Sequence, residues 1–272
     1  MFPSFDFLGR TIYMYPMLAA AGAITAGFAA CRAAIRKKVD DNNVIVFLLV
    51  AAIGVLIGGH LLYGLTQPQN LQKFIGYIPS VKSIGEFIDH VVFIFGGSVF
   101  YGGLLGGIAA GMIYLKFAKL DAALYTDIAA PSIPLFHAFG RIGCFLGGCC
   151  YGVESDFGFT YTHSLIEEAN GVKRLPVPLI EMTALLILFA VLLYFQKKEM
   201  FKGKLIYVYL VSYAVIRFII EFWRGDALRG IWFGLSTSQW ISLGILVVCG
   251  IIGAKRAAML REAKQGRVDN DA

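Results

Sequence analysis

The chain has 272 residues, of which 58% are apolar and only 15% are charged, and its mean hydropathy is +0.70. These values lie outside the range of soluble globular domains and exclude a soluble protein. The formal net charge of +6 does not indicate binding to nucleic acid, because no soluble basic domain carries it. The composition therefore predicts an integral membrane protein.

Seven stretches are apolar and long enough to cross a bilayer as helices, which takes about 20 residues each. In chain order they are residues 11–31, 43–63, 91–114, 121–139, 177–195, 205–223 and 239–254. The first lacks a basic leader and a small-residue cleavage site, so we interpret it as a retained helix. The sequence thus predicts an all-α polytopic membrane protein with seven transmembrane helices in a single domain over residues 1–272.

Lysine and arginine residues indicate the orientation, since positively charged loops stay in the cytoplasm. The first, third and fifth connections and the C-terminal tail are more basic than the other connections. Their basic residues are Arg32, Arg36, Lys37, Lys38, Lys116, Lys119, Lys197, Lys198, Lys202, Lys204, Lys255, Arg256, Arg261, Lys264 and Arg267. We therefore predict that the N-terminus lies outside and the C-terminus lies in the cytoplasm.

Two external connections are long. Residues 64–90 mix isoleucine and phenylalanine with polar residues, a pattern typical of a segment that lies in the membrane interface. Residues 152–176 are more polar and predict a small external head.

Three arginines near the outer ends of the fourth and sixth spans are not explained by topology: Arg141, Arg217 and Arg224. A charge inside the membrane is costly and indicates a functional site unless a partner neutralises it. Because guanidinium groups bind phosphate oxygens bidentately, the three predict a phosphate site. Glu221 offers a structural alternative, since it lies on the same helix face as Arg217 and Arg224 and can neutralise them. Arg141 has no acid near it in the sequence, so we expect it to bind an anion.

The third span contains pairs of glycines four residues apart, including Gly102 with Gly106 and Gly103 with Gly107. This spacing is typical of helices that pack backbone to backbone. The same small residues around Tyr101 could instead open a groove for a lipid headgroup, where the phenol would serve as a hydrogen-bond donor. The pattern leaves both interpretations open.

Cys144, Cys149 and Cys150 cluster on the outward side. An adjacent pair after a gap of four residues is not a usual zinc spacing, and we predict no metal and no cofactor. A redox-sensitive pair, or thiols that simply line a pocket, are the alternatives.

The chain resembles the prolipoprotein diacylglyceryl transferases of bacterial plasma membranes. The motifs that carry the resemblance are "YMYPMLAAAG", "GGHLLYG", "FGGSVFYGGLLGG", "GRIGCFLGGCCYG", "LPVPLIEM" and "IRFIIEFWRGD". The resemblance implies that these positions belong to the family's site: Tyr15, Arg141, Gly143, Gly148, Tyr151, Gly152, Glu181, Arg217, Glu221 and Arg224. We expect Arg141, Arg217 and Tyr101 to be catalytic. We expect the others that bind substrate to be Tyr15, Gly102, Gly103, Gly143, Cys144, Gly148, Glu181, Glu221 and Arg224.

The sequence departs from the family pattern at several positions. Tyr101 replaces the family's histidine, Cys144 the asparagine of "GRIGN", and Cys149 the acid of "NGE". Pro178 replaces the glutamine of "HPSQLYE", and His60 stands where an arginine is usual near the end of the second span. These changes indicate a divergent branch of the family, in which the phosphate site is kept and its hydrogen-bond partners differ.

The resemblance implies that a lipobox cysteine of a prolipoprotein attacks the phosphate-bearing glycerol carbon of phosphatidylglycerol, which forms a thioether and releases glycerol 1-phosphate. The implied partners are phosphatidylglycerol, the prolipoprotein signal peptide and membrane lipids. Candidate bases for the thiol are His60 and His137. Two alternatives remain: a lipid-binding paralogue that is inactive or uses another acceptor, and a small-solute transporter, which the absence of an internal repeat disfavours.

Overall fold

The computed structural model describes residues 1–226 and 230–270. The helices are α1 (Met14–Arg36), α2 (Asp41–Leu65), α3 (Pro68–Tyr77), α4 (Ile84–Phe95), α5 (Phe100–Phe117), α6 (Ala122–Ala129), α7 (Ser132–Gly147), α8 (Val177–Lys197), α9 (Leu205–Ile220) and α10 (Thr237–Asn270). The strands are β1 (Ser4–Phe7), β2 (Arg10–Tyr13), β3 (Glu154–Thr160), β4 (Lys173–Arg174), β5 (Ile231–Trp232) and β6 (Leu235–Ser236). The strands form three two-stranded antiparallel ribbons, β1 with β2, β3 with β4 and β5 with β6.

Within the described residues, five helices are long and apolar enough to cross a membrane. They are Met14–Arg36, Asp41–Leu65, Val177–Lys197, Leu205–Trp223 and Thr237–Arg256. These helices confirm the prediction of a mostly helical membrane protein. The predicted first span begins later than expected, because residues 10–13 form strand β2 of a hairpin instead of helix.

The predicted third span, residues 91–114, is not one helix. α4 ends at Phe95 and α5 begins at Phe100. Glycines are poor helix formers, and the backbone at Gly97 passes so close to Tyr63 that a Cβ there would lie 2.3 Å from the ring. His60 Nδ1 donates to the carbonyls of Phe95 and Gly97 at 2.7 and 2.8 Å, and it thereby satisfies carbonyl groups at the break.

The predicted fourth span, residues 121–139, is also interrupted. α6 ends at Ala129 and α7 begins at Ser132. Pro131 has no backbone N–H and disfavours helical geometry at the residue before it, which explains the boundary. α7 then continues beyond the predicted end of the span to Gly147.

The chain divides into two compact units. The smaller unit, Cys31–Tyr125, is built on close packing of α2 against α5. A Cβ added at Gly58 would lie 2.2 Å from the carbonyl oxygen of Gly102, and one at Gly106 would lie 2.2 Å from that of Gly54. The glycines of the third predicted span therefore allow helix packing, the first of the two interpretations that the sequence left open.

Residues 64–90 of the smaller unit, predicted as an interfacial segment, include α3 and the start of α4. The two helices contact each other through Phe74 and Phe87, whose ring centroids are 5.9 Å apart, and through the stacked rings of Tyr77 and His90 at 4.4 Å. Ile84 is among their exposed apolar side chains. An amphipathic helical hairpin of this kind agrees with a position at the membrane surface.

The larger unit, Met1–Ala30 together with Thr126–Ala272, has its apolar core where α7, α8 and α9 meet. The core residues are Ala130, Ala138, Leu185, Leu188, Leu192, Leu205, Tyr209 and Tyr213. The predicted head, residues 152–176, contains β3 and β4. Its small core is formed by Tyr151, Tyr161 and Ala169, and the guanidinium of Arg174 lies 4.5 Å from the ring centroid of Tyr151. Burial raises the pKa of the Tyr161 phenol to about 12.

Candidate active site

A buried carboxylate, Glu181, lies at the centre of the predicted arginine cluster. It is on the first turns of α8 and only 1% exposed. Arg141 of α7 places Nη2 at 3.1 Å from its Oε1, and Arg217 of α9 places Nη1 at 3.4 Å from its Oε2. Pro178, which replaces a glutamine of the family motif, is in the first turn of the same helix, where proline is favourable. The substitution is therefore compatible with the helix that carries Glu181.

Two further side chains contact Glu181. The hydroxyl of Tyr213 donates to Oε1 at 3.3 Å, and His137 Nε2 lies 3.9 Å from the same oxygen. The imidazole also contacts the ring of Tyr213 edge to face, with centroids 5.1 Å apart. Tyr213 was not predicted as a site residue from the sequence, although it precedes Arg217 by four residues and therefore shares a helix face with it.

Arg217 is buried and contacts Glu221 and Ser238 as well as Glu181. Its Nη2 lies 2.7 Å from Glu221 and donates to Ser238 Oγ at 3.2 Å. This i to i+4 contact is the ion pair of the structural alternative, in which Glu221 neutralises Arg217. Ser238 comes from α10 and could not be assigned from spacing along the chain.

The prediction that Arg224 shares a helix face with Glu221 is wrong. α9 ends at Ile220, and Arg224 has an extended backbone. It binds Asp226 bidentately, with Nε at 2.9 Å from Oδ1 and Nη2 close to Oδ2, whereas its Nη1 is 4.0 Å from Glu221. Asp226 is a second site residue that the sequence analysis missed.

Arg141 differs from the other two arginines in the cluster. It has no acid near it in the sequence, but in the structure Glu181 on α8 supplies a carboxylate. Its Nη1 makes only a 3.9 Å contact to Cys144 Sγ, and its buried Nε has no hydrogen-bond partner among the described residues. Of the three guanidiniums, Arg141 thus has the most capacity to bind a further acceptor.

The glycines around Arg141 bring neighbouring groups close to it. A Cβ at Gly143 would lie 2.8 Å from the ring of Tyr15, so this glycine allows Tyr15 to pack against α7. Gly148 ends α7 in the left-handed conformation, with φ of +73°, and its N–H donates to Phe145 O at 3.1 Å. A side chain there would also collide with Ser164.

The three outward cysteines meet at the end of α7. Their Sγ atoms all lie within 4.8 Å of one another. Hydrogen bonds from the thiols of Cys144 and Cys149, together with the charges of Arg141 and Arg224, hold the pKa of Cys150 well below its usual range. The cluster is therefore electrostatically linked to the arginines.

Four predicted site residues belong to the smaller unit. Tyr101 is buried on the first turn of α5. Gly102 packs against Gly58, and Gly103 against Val55. His60 uses Nδ1 to bind backbone carbonyls, as described above.

Comparison with known proteins gives one consistent family. The sequence profile described as prolipoprotein diacylglyceryl transferase matches residues 4–255. The chain is 31% identical to the phosphatidylglycerol–prolipoprotein diacylglyceryl transferase of Clostridium tetani over 90% of this chain and 93% of that protein. It is also 31% identical to the protein of the same name from Geobacter sulfurreducens, over 97% of both chains, and 34% identical to that of Idiomarina loihiensis, over 75% of this chain and 73% of the other.

Proposed function

Because the chain belongs to the prolipoprotein diacylglyceryl transferase family, we propose that it transfers the diacylglyceryl group of phosphatidylglycerol to the lipobox cysteine of a prolipoprotein. The thiol sulfur forms a thioether with the glycerol carbon, the bond between that carbon and the phosphate oxygen breaks, and glycerol 1-phosphate leaves. The thiol proton passes to solvent or to a side-chain base. The acceptor follows from the family and from the names of the relatives.

The observation that supports this function best is the state of Arg141. A buried guanidinium is held by Glu181 at one edge while its Nε is without a hydrogen-bond partner among the described residues. An unmet buried donor is costly, and a phosphate oxygen is an acceptor of matching charge. Arg141 is therefore proposed to bind the phosphate that departs.

The remaining groups are proposed to support that contact. Negative charge accumulates on the departing phosphate, and fixed positive groups stabilise it. Glu181 fixes the positions of Arg141 and Arg217 through its two oxygens. The free thiol, with a pKa of about 8.5, loses its proton more easily near these cations. Solvent can accept the thiol proton. The proposed alternative acceptor is His137, which lies beside Glu181.

The other proposed substrate contacts, taken from the sequence, are Tyr15, Tyr101, Gly102, Gly103, Gly143, Cys144, Gly148, Glu221 and Arg224. The proposed role of Tyr101 as a hydrogen-bond donor rests on its phenol at a position where the family has a histidine. Gly102 and Gly103 contribute through the packing of the helix that carries them.

The proposed setting is a bacterial plasma membrane, crossed seven times by a single domain. The N-terminus, residues 64–90 and the head at residues 152–176 are placed outside, and the C-terminus is placed in the cytoplasm. The distribution of lysine and arginine supports this orientation.

A second candidate function has specific support. The three arginines are accompanied by three carboxylates, Glu181, Glu221 and Asp226. The cluster is therefore electrically balanced without a ligand. The replacements at Tyr101, Cys144 and Pro178 motivate the second candidate, a lipid-binding paralogue that is inactive or uses another acceptor, and the family favours the transferase over it.

The deciding experiment reconstitutes the purified protein with phosphatidylglycerol and a lipobox peptide and detects the diacylglyceryl adduct by mass spectrometry. Vesicles of phosphatidylethanolamine serve as the lipid control. We expect adduct formation with phosphatidylglycerol only, a strong loss in Tyr101→Phe, and no large gain in Tyr101→His. If the native protein forms no adduct and Tyr101→His restores adduct formation, the side chain at position 101 is needed as a general base. A protein that binds phosphatidylglycerol and is silent in every form would favour the paralogue.

A further inference from the structure

Three thiols from one short stretch converge at the end of α7. The Sγ atoms of Cys144, Cys149 and Cys150 all lie within 4.8 Å of one another. Three sulfurs that bind one zinc ion at about 2.3 Å in tetrahedral geometry are about 3.8 Å apart. The sulfurs are therefore close to the separation that a shared metal ion requires.

The backbone explains why the spacing along the chain did not predict this arrangement. Cys144 is in the last turn of α7, and the left-handed Gly148 reverses the chain immediately after the helix. The N–H of Cys149 then donates to Cys144 O at 3.0 Å. Cys150 has a positive φ of 57°, which is uncommon for a residue with a side chain. The turn brings the adjacent pair back alongside Cys144.

The loop that carries the thiols is fixed on both sides. Ser164 Oγ donates to Gly148 O at 2.9 Å, before the cysteine pair. After the pair, the N–H of Gly152 donates to Leu175 O and the N–H of Gly225 donates to Tyr151 O, both at 3.0 Å. Preorganised ligands lose little conformational freedom when they bind an ion.

Charge and access also suit a metal ion. Three thiolates and one divalent cation have a net charge of −1, and the guanidinium of Arg141 lies near this charge, donating to Cys144 Sγ at 3.9 Å. Cys149 and Cys150 are half-buried, so part of each side chain is accessible. Thiolates select soft or borderline metals such as zinc over magnesium or calcium.

We propose that Cys144, Cys149 and Cys150 form a binding site for a soft divalent cation of the zinc class, with three thiolate ligands and a fourth position occupied by solvent. Each thiol releases its proton to solvent as it enters the coordination sphere. The site includes Cys144, a proposed substrate contact, and lies beside Arg141, but metal binding itself does not require the transferase substrates.

The test uses the full-length protein in detergent, reduced with a phosphine and freed of metal. Cobalt(II) serves as the spectroscopic probe, since tetrahedral thiolate coordination gives strong visible absorption. We expect one cobalt per chain and its displacement by zinc. Cys149→Ser and Cys150→Ser should each weaken binding by more than about tenfold, since the loss of outer contacts alone costs that much in known sites. Cys249→Ser, which removes a cysteine of α10, is the matched control and should bind cobalt as the native protein does.

A second measurement on the native chain guards against variants that fail to fold. Zinc should protect three of the five cysteines from a maleimide reagent, as counted by mass spectrometry of peptides, and should leave Cys249 unprotected. Three results would overturn the proposal. They are unchanged cobalt binding in both serine variants, no binding by the folded native protein, and a disulfide between two of these cysteines in membranes prepared without reductant. The adduct assay distinguishes this result from failure of the proposed function, since a metal-free protein can still transfer and a metal-binding protein can still be silent.

Discussion

At the scale of single residues, Glu181 holds the arginine cluster together. It is almost completely buried and contacts Arg141 and Arg217 through different oxygens. Removal of one partner from a buried ion pair leaves a charge without compensation in a poorly polar environment. Glu181 is thus needed for stability as well as for the orientation of the guanidiniums.

Glu181→Gln keeps the shape of the side chain and removes its charge. We expect this variant to lose about 3 to 5 kcal/mol of stability, and to lose transfer activity with it, as measured by thermal unfolding in detergent and by adduct formation. Glu154→Gln, at a carboxylate on β3 that is 73% exposed, is the control and should leave the melting temperature unchanged. Equal melting temperatures for both variants would contradict a central role for Glu181.

The second residue-scale prediction ranks two arginines. Arg141→Lys removes the Nε donor and the bidentate fork, and a hydrogen bond to a charged group contributes about 1.5 to 3 kcal/mol, so we expect kcat/KM to fall about ten- to a hundredfold. Arg224→Lys should be milder, because the fork of Arg224 is occupied by Asp226. Arg10→Lys, at an exposed site on β2, is the control. Equal tolerance of lysine at Arg141 and Arg224 would favour purely structural ion pairs.

Spacing along the chain reveals some of these contacts and hides others. The pair of Arg217 and Glu221 follows from the helical repeat, and Glu181 follows from the family motif. The contact of Arg141 with Glu181 joins two helices, and Asp226 pairs with Arg224 only because α9 ends before it. Neither can be obtained from a helical repeat.

At the scale of elements, the packing of α2 on α5 depends on glycines whose backbones approach each other. The carbonyl oxygen of Gly102 lies where a Cβ of Gly58 would be placed. A backbone oxygen cannot rotate away as a flexible side chain can, so the helices themselves must move apart. This interface should tolerate no larger residue.

Gly58→Ala is therefore expected to destabilise the protein by about 1 to 3 kcal/mol, the usual cost of overpacking. Gly27→Ala on α1 is the matched control, since a Cβ there meets no heavy atom within 4 Å and alanine favours helix. The measurement is the melting temperature of each variant in detergent. A decrease of the same size in both would show that helix contact at Gly58 is not the cause.

The sequence predicted this helix packing better than it predicted where helices end. A hydropathy window counts apolar residues and is insensitive to a short break. The predicted spans therefore continued across Gly97 and Pro131, where the structure interrupts the helices. The small hairpins were missed for a different reason. Leu8 with Gly9 and Phe233 with Gly234 have the consecutive positive φ values of a tight hairpin turn, but each lies between strands too short to show a clear alternating pattern.

At the scale of the whole molecule, composition alone was enough to predict a membrane protein. In lipid, backbone polar groups must be satisfied within the chain, so a chain this apolar is expected to be helical. Five of the described helices meet the length and hydropathy of a span. The second, fifth, sixth and seventh predicted spans lie wholly within these helices. The third and fourth are the ones that the structure breaks into shorter helices.

The topology prediction follows from charge and can be tested without regard to helix breaks. Moving clustered lysines and arginines across the membrane is unfavourable, so the basic segments stay on the cytoplasmic side. Reporter fusions after residue 38 and after residue 264 should both report a cytoplasmic location, and a fusion after residue 160 in the head should report an external one. The external fusion also controls for a reporter that never crosses the membrane. If the fusions after residues 38 and 264 both appear outside, the orientation is reversed, and the arginine cluster at the end of α7 would face the cytoplasm instead of the surface where we expect prolipoproteins to present their lipobox cysteine.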